Sequence, residues 1–118
     1  MLGCGLSVLL AAGLVLAMTY RWTGEFRERR AILQPLLATN ASLSNVVARA
    51  GDFIVTRKTK PEWTRMLGRY KTGSQWDRHI AGKMEHSSAV GHTSTMYMQT
   101  WIFLDDNDRL IDFELGTQ

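Results

Sequence analysis

Met1–Tyr20 (MLGCGLSVLLAAGLVLAMTY) runs for twenty residues without a charged side chain, and this run limits what the rest of the chain can be. At about 1.5 Å of rise per residue, a helix of this length covers about 30 Å, the thickness of a bilayer core. Gly3, Gly5 and Gly13 would weaken a helix in water, but glycine is common in membrane helices. Tyr20 and Trp22 stand at the far end, where amphipathic aromatic side chains favour the interface. Arg21, Arg27, Arg29 and Arg30 follow and would stop further insertion.

Three other readings of the run fit less well. A cleaved signal peptide needs a basic stretch before the apolar one and a small-x-small cleavage site after it. Here no Lys or Arg precedes the run, which ends Ala17-Met18-Thr19. Leu2-Gly3-Cys4 resembles the end of a lipoprotein signal, but the apolar run follows the cysteine instead of preceding it. A buried core helix of this length with no polar stripe would be out of scale with so small a domain. The expectation is a single-pass signal-anchor: residues 1–22 as transmembrane anchor, with 2–20 in the membrane, 23–41 as juxtamembrane helix and linker, and 42–118 as a small domain. The flanking arginines favour a cytoplasmic soluble domain, and basic residues upstream of Met1 would reverse that.

What remains after the anchor is near the lower end of sizes that fold around one core, with little stability to spare for a deep cleft. The only cysteine is Cys4, inside the apolar run, so the soluble part has neither an internal disulfide nor a cysteine-based zinc site. The net charge is +3 and the pI about 9.4. Arg57, Lys58, Lys60, Arg65, Arg69, Lys71, Arg78 and Lys83 face only Glu62 and Asp77 in the same stretch, whereas the chain from Asp105 onward is mostly acidic. Arg57, Lys58, Lys60, Arg65, Arg69 and Lys71 are thus a candidate basic patch for anionic lipid or another polyanion.

Thr23–Ala38 has a helical pattern that Pro35 should end or kink. Ser42 is a good N-cap, Leu43, Val46, Val47 and Ala50 share one helical face, and Gly51 supplies a stop. Phe53–Arg57 (FIVTR) reads as a strand. Thr59-Lys60-Pro61-Glu62 has the form of a capping box with Thr59 at the N-cap. Behind it, Trp63, Met66, Leu67 and Tyr70 predict a helix over Pro61–Tyr70. Ser74–Met84 reads as a further helix, with Trp76, Ile80 and Met84 on one side. Glu85–Thr95 is small and polar and reads as a loop.

Met96–Leu104 (MYMQTWIFL) and Arg109–Leu115 (RLIDFEL) predict a hairpin around Asp105-Asp106-Asn107-Asp108. A four-residue loop pairs Leu104 with Arg109, hence Ile102 with Ile111, Thr100 with Phe113 and Met98 with Leu115, on one apolar face. Gln99, Trp101, Phe103, Asp112 and Glu114 fall on the other face, which makes them a candidate interaction surface of exposed aromatics beside charge. The fold class expected is α+β: a transmembrane helix, then short helices packed on an antiparallel sheet that ends in a C-terminal hairpin.

No chemistry-bearing motif emerges. His79, His86 and His92 are not spaced as metal ligands. Counting from Asp105, the sixth and twelfth positions of a calcium loop are Leu110 and Gly116, which excludes an EF-hand. Ser87, Ser88 and Ser94 lack the context of a nucleophile. The glycines Gly68, Gly73, Gly82 and Gly91 are too scattered to cradle a phosphate. Trp63, Tyr70 and Trp76 lie on faces that a core requires, which argues against a nucleic-acid platform. No cofactor, metal or nucleic acid is expected.

The capped helix Ser42–Gly51 (SLSNVVARAG) followed by the hairpin Trp101–Phe113 (WIFLDDNDRLIDF) resembles the small envelope domains of the SmpA/OmlA (BamE-like) type. In that type a helix ending in glycine leads to a meander with an aromatic-rich strand, an acidic turn and a hydrophobic return strand. The resemblance covers about a quarter of the chain, and the stretch Thr56–Thr95 departs from its pattern. It implies a membrane-tethered, extracytoplasmic, non-enzymatic domain of a bacterial envelope that supports a larger assembly, and it assigns no functional residue. Function is accordingly expected to be protein–protein interaction, with a partner protein or a second copy. The alternatives are lipid contact through the basic stretch, or an unrecognised enzyme or metal-binding protein.

Overall fold

A computed structural model describes residues 24–117; the apolar run and the anchor expected of it lie outside the described residues. Among these, no helix is long and apolar enough to cross a membrane. Helix α1 covers residues 24–38 and α2 covers Leu43–Ala50. Strand β1, Ile54–Arg57, precedes a helical hairpin of α3, Pro61–Lys71, and α4, Gln75–Glu85. Strands β2 (Ala89–Ser94), β3 (Met98–Leu104) and β4 (Leu110–Thr117) complete an antiparallel sheet of order β1-β2-β3-β4. The class is α+β, as the pattern of apolar residues predicts.

Alternation along β3 explains the layering. Met98, Ile102 and Leu104 point to one side and join Leu33 and Leu36 of α1 and Val46 and Ala50 of α2 in one buried cluster. Trp101 and Phe103 point to the other side and join Val90, Trp63 of α3 and Ile80 and Met84 of α4 in a second. Successive side chains of a strand face opposite ways, so a strand apolar at every position must be covered twice. The sheet lies between two pairs of helices.

Local chemistry sets the helix ends. The Ser42 hydroxyl accepts from the Asn45 N–H at 3.4 Å, and Gly51, at φ 93°, takes a positive-φ conformation open to glycine and ends α2. Arg29 of α1 donates to the Ala50 carbonyl at 2.6 Å, tying the two helices together where α2 has a spare acceptor. Pro35 does not end α1, which continues to residue 38; the hydroxyl of Thr39 donates to the Pro35 carbonyl at 3.0 Å. Lys60, not Thr59, occupies the N-cap of α3, because the Lys60 N–H closes a turn on the Arg57 carbonyl at 3.0 Å and leaves Thr59 inside it. The capping box occurs instead at α4, where the Ser74 and Asp77 side chains each accept from the other's N–H at 3.2 Å.

Two expectations are corrected. Glu85–Thr95 is not all loop: Ala89–Ser94 is an interior strand paired on both sides. Its small residues are what the packing permits, since a Cβ on Gly91 would stand 2.6 Å from Cγ1 of Ile102. The hairpin register is also displaced. Ile102 pairs with Phe113, Thr100 with Leu115 and Met98 with Thr117. Asp105 pairs with Arg109 through the Asp105 N–H to Arg109 carbonyl bond of 3.0 Å, with Asp108 left-handed at φ 56°. A three-residue loop of this kind moves the closing pair by one residue. Leu104 then pairs with Leu110 and Phe103 with Asp112, so a bulge at Ile111 moves it by one more. Two single shifts restore the original alternation, and the predicted apolar face stays in the core except for Ile111.

Candidate functional site

The five residues expected to form an exposed hairpin face do share one face of the sheet, but that face is covered by α3 and α4. Trp101 is 1% exposed and Phe103 0%. The Tyr70 ring meets Trp101 edge-on at 5.2 Å, and the His92 ring packs at 4.3 Å. The Trp101 indole N–H donates to Gln99 Oε1 at 2.8 Å, and the Gln99 amide donates to the Thr117 carbonyl at 2.9 Å. The aromatic part of this surface is therefore not available to a partner, while Gln99, Asp112 and Glu114 stay partly exposed. The apolar sides of α3 and α4 need a sheet face to bury against, and this is the one that α1 and α2 leave uncovered.

Asp112 and Glu114 meet a charged side of α4. Lys83 lies 2.7 Å from Asp112 and 2.5 Å from Glu114, and His79, one turn earlier, lies 2.8 Å from Glu114. His79 and Lys83 are spaced i and i+4 and therefore project together, matching two carboxylates at i and i+2 on β4. Burial pushes the Glu114 carboxyl up, but hydrogen bonds from Lys83 and His79 outweigh it and hold the group below the usual range. Burial likewise lowers the Lys83 amine, and Asp112 and Glu114 raise it above its ordinary value. An amine held protonated is no nucleophile, and a carboxylate saturated by two donors is a poor base. The arrangement is a clamp between α4 and β4.

The histidines are not brought together. His79 belongs to the clamp, His86 ends α4, and His92 lies on β2. Burial pulls the His92 imidazole below its usual range, against a smaller opposing effect from Gln99. The Ser94 hydroxyl is 3.3 Å from His92 Nε2, but a serine nucleophile needs its histidine oriented by a third group, and here the ring rests on Trp101. Ser87 donates to the Lys83 carbonyl at 2.8 Å, and Ser88 is bonded to Asp106. Among the described residues, no group of three or more His, Cys, Asp or Glu side chains is placed to hold a metal ion.

The basic residues are dispersed and partly neutralised. Arg57 makes two hydrogen bonds to Asp108, at 2.7 and 2.9 Å, which raise its pKa and lower that of Asp108. Lys71 pairs with Glu85, Lys58 reaches the Glu85 carbonyl at 3.4 Å, and Arg65 stands 4.0 Å from Glu62. Arg69 lies over the Tyr70 ring at 5.6 Å. Lys60, at the N-cap of α3, is exposed.

An open groove that the sequence reading missed runs between α1 and α2. Apolar Ala31, Ile32, Pro35 and Ala41 and polar Thr39 and Asn45 line it together with Arg49 and Arg109. The Arg109 guanidinium is held by a 3.1 Å bond to the Asn40 carbonyl. The signal lay in α1, where Ala31 and Pro35 are small apolar residues beyond those the core uses. No family model, curated protein or solved structure matches this chain.

Proposed function

We propose that this chain is a membrane-anchored, non-enzymatic interaction domain, held by residues 1–22, that receives an acidic amphipathic segment of a partner protein in the groove between α1 and α2. The observation that carries the reading is the groove itself, where apolar Ala31, Ile32 and Pro35 share the lining with Arg49 of α2 and with Arg109, which the Asn40 carbonyl holds. Arginine is enriched at protein interfaces, and the two positive charges select acidic neighbours over basic ones. Helix α2 with its closing Gly51 and the acidic turn between β3 and β4 are the parts that fit the SmpA/OmlA-like envelope resemblance, in which such a domain supports a larger assembly; the α3–α4 hairpin departs from it. Lipid contact through the 57–83 stretch is the weaker reading, because Arg57 and Lys71 are already paired with carboxylates.

The test places a photo-crosslinking residue in the full chain, in membranes, at Ala31 in the groove or at Arg65 on the outside of α3. A discrete adduct at position 31, absent at 65 and lost on adding Arg49→Glu, is expected. Equal adducts at both positions, or none at 31, would refute the groove. An adduct of twice the chain mass would replace the partner protein with a second copy.

A further inference from the structure

The sheet has two chemically different ends. The turn between β2 and β3 carries Met96, 80% exposed, and β1 begins at the same end with Ile54, 76% exposed. The opposite end carries the turn Asp105-Asp106-Asn107-Asp108. These ends are separated by the seven residues of β3, or about 23 Å at 3.3 Å per residue. Ile54 and Met96 are the two most exposed large hydrophobic residues among those described, followed by Ile111.

The apolar end is also the one joined to the start of α1. The Thr95 hydroxyl donates to Glu25 Oε1 at 2.6 Å. Glu25 follows Tyr20 by five residues, and an extended chain covers at most about 3.6 Å per residue, so the two lie within about 18 Å of each other. A surface that holds Tyr20 is therefore within reach of the β2–β3 turn.

We infer that the β2–β3 turn, with Met96 at its tip and Ile54 at the same sheet end, seats in the lipid interface next to the anchor, with the acidic β3–β4 turn pointing away. This rests on the anchor reading of residues 1–22. Exposed methionine and isoleucine gain by leaving water, and Arg27 and Arg30 of α1, both exposed, suit anionic headgroups. The opposite turn offers lipid only polar side chains, Asp105, Asp106, Asn107 and the Asp108–Arg57 pair, and this difference fixes the polarity of the domain on the membrane.

The test uses the full chain with Cys4→Ser, carrying one added cysteine and an environment-sensitive fluorophore. The positions are Met96→Cys, Asn107→Cys in the far turn, and Ala12→Cys in the apolar run. Each protein is reconstituted into vesicles of zwitterionic and anionic phospholipid containing spin-labelled lipid. Blue-shifted emission and strong quenching are expected at positions 12 and 96, with neither at 107. Quenching at 12 alone leaves the anchor standing and overturns the tip. Equal quenching at 96 and 107 means that the domain lies flat, and also overturns it. No quenching at 12 removes the anchor, and the tip with it.

Discussion

Replacing Trp101 with alanine separates a buried face from a binding face. An indole covers about 150–250 Å², and at about 25 cal/mol per Å² its full burial contributes at most about 4–6 kcal/mol. The side chain also gives up its edge-on contact with Tyr70 and leaves the Gln99 carbonyl oxygen without its 2.8 Å donor. Allowing for partial collapse of the cavity, Trp101→Ala should cost about 3–5 kcal/mol. The folded part spans residues 24–117, and a domain of about that size has about 5–14 kcal/mol in total. The assay is urea unfolding of the full chain in nonionic micelles, followed by near-ultraviolet circular dichroism. With a urea dependence of about 1 kcal/mol per molar, the midpoint should fall by about 3–5 M at unchanged slope, or the variant should fail to fold. Arg65→Ala, at an exposed position on α3, is the control and should move the midpoint little. A Trp101→Ala variant that loses less than about 0.5 kcal/mol behaves as a surface substitution, and would refute the second helical layer.

Further expectations concern the clamp, the sheet and a cap. Because Glu114 is held below its ordinary value of 4.5, it is stabilising at neutral pH, and this contribution fades as pH falls from near 4.5 through the lower folded value. Glu114→Gln should therefore flatten the acid side of a stability–pH curve, and an unaltered curve would remove the clamp's role. Lys83 titrates above its ordinary value of 10.5, so its contribution is complete below that pH and is lost only as pH rises through the higher folded value. On Gly116, a Cβ would lie 2.6 Å from Cζ2 of Trp76. Gly116→Ala should thus cost about 1–3 kcal/mol, read as a lower melting temperature, and an unchanged melt would mean that Trp76 yields freely. Ser74→Ala removes half of the capping box and should cost about 1 kcal/mol, with faster amide exchange confined to the first turn of α4.

Helices α2, α3 and α4 could be read from the sequence because caps and apolar spacing are local signals, and each borders a residue such as Ser42, Pro61 or Ser74 that marks a helix start. Strand β2 could not, because Ala89-Val90-Gly91-His92-Thr93-Ser94 carries little intrinsic strand preference. Its conformation comes from pairing with β1 and β3, seen only once distant segments meet. The hairpin was legible but its register was not, since the left-handed Asp108 and the bulge at Ile111 are backbone events without a strong composition mark. The candidate surface failed for a related reason. Gln99, Asp112 and Glu114 give the Trp101 face a polar look, but the two carboxylates pair with His79 and Lys83 from α4. Charge on a strand reports the need for a partner, and that partner can be the protein's own helix.

The helical hairpin departs from the sheet at Arg57 and returns at Ala89, and those two residues are register partners on adjacent strands. In an antiparallel ladder such partners stand about 5 Å apart, so thirty-odd residues leave and re-enter through a single doorway. Topologically the excursion is a cassette: a tight turn could close the same gap and leave the β1-β2-β3-β4 order unaltered. A chain shortened in this way would present Val90, Trp101 and Phe103 as an open hydrophobic wall. It would then need another protein to cover that wall, so the cassette makes self-sufficient a sheet that would otherwise be obliged to assemble.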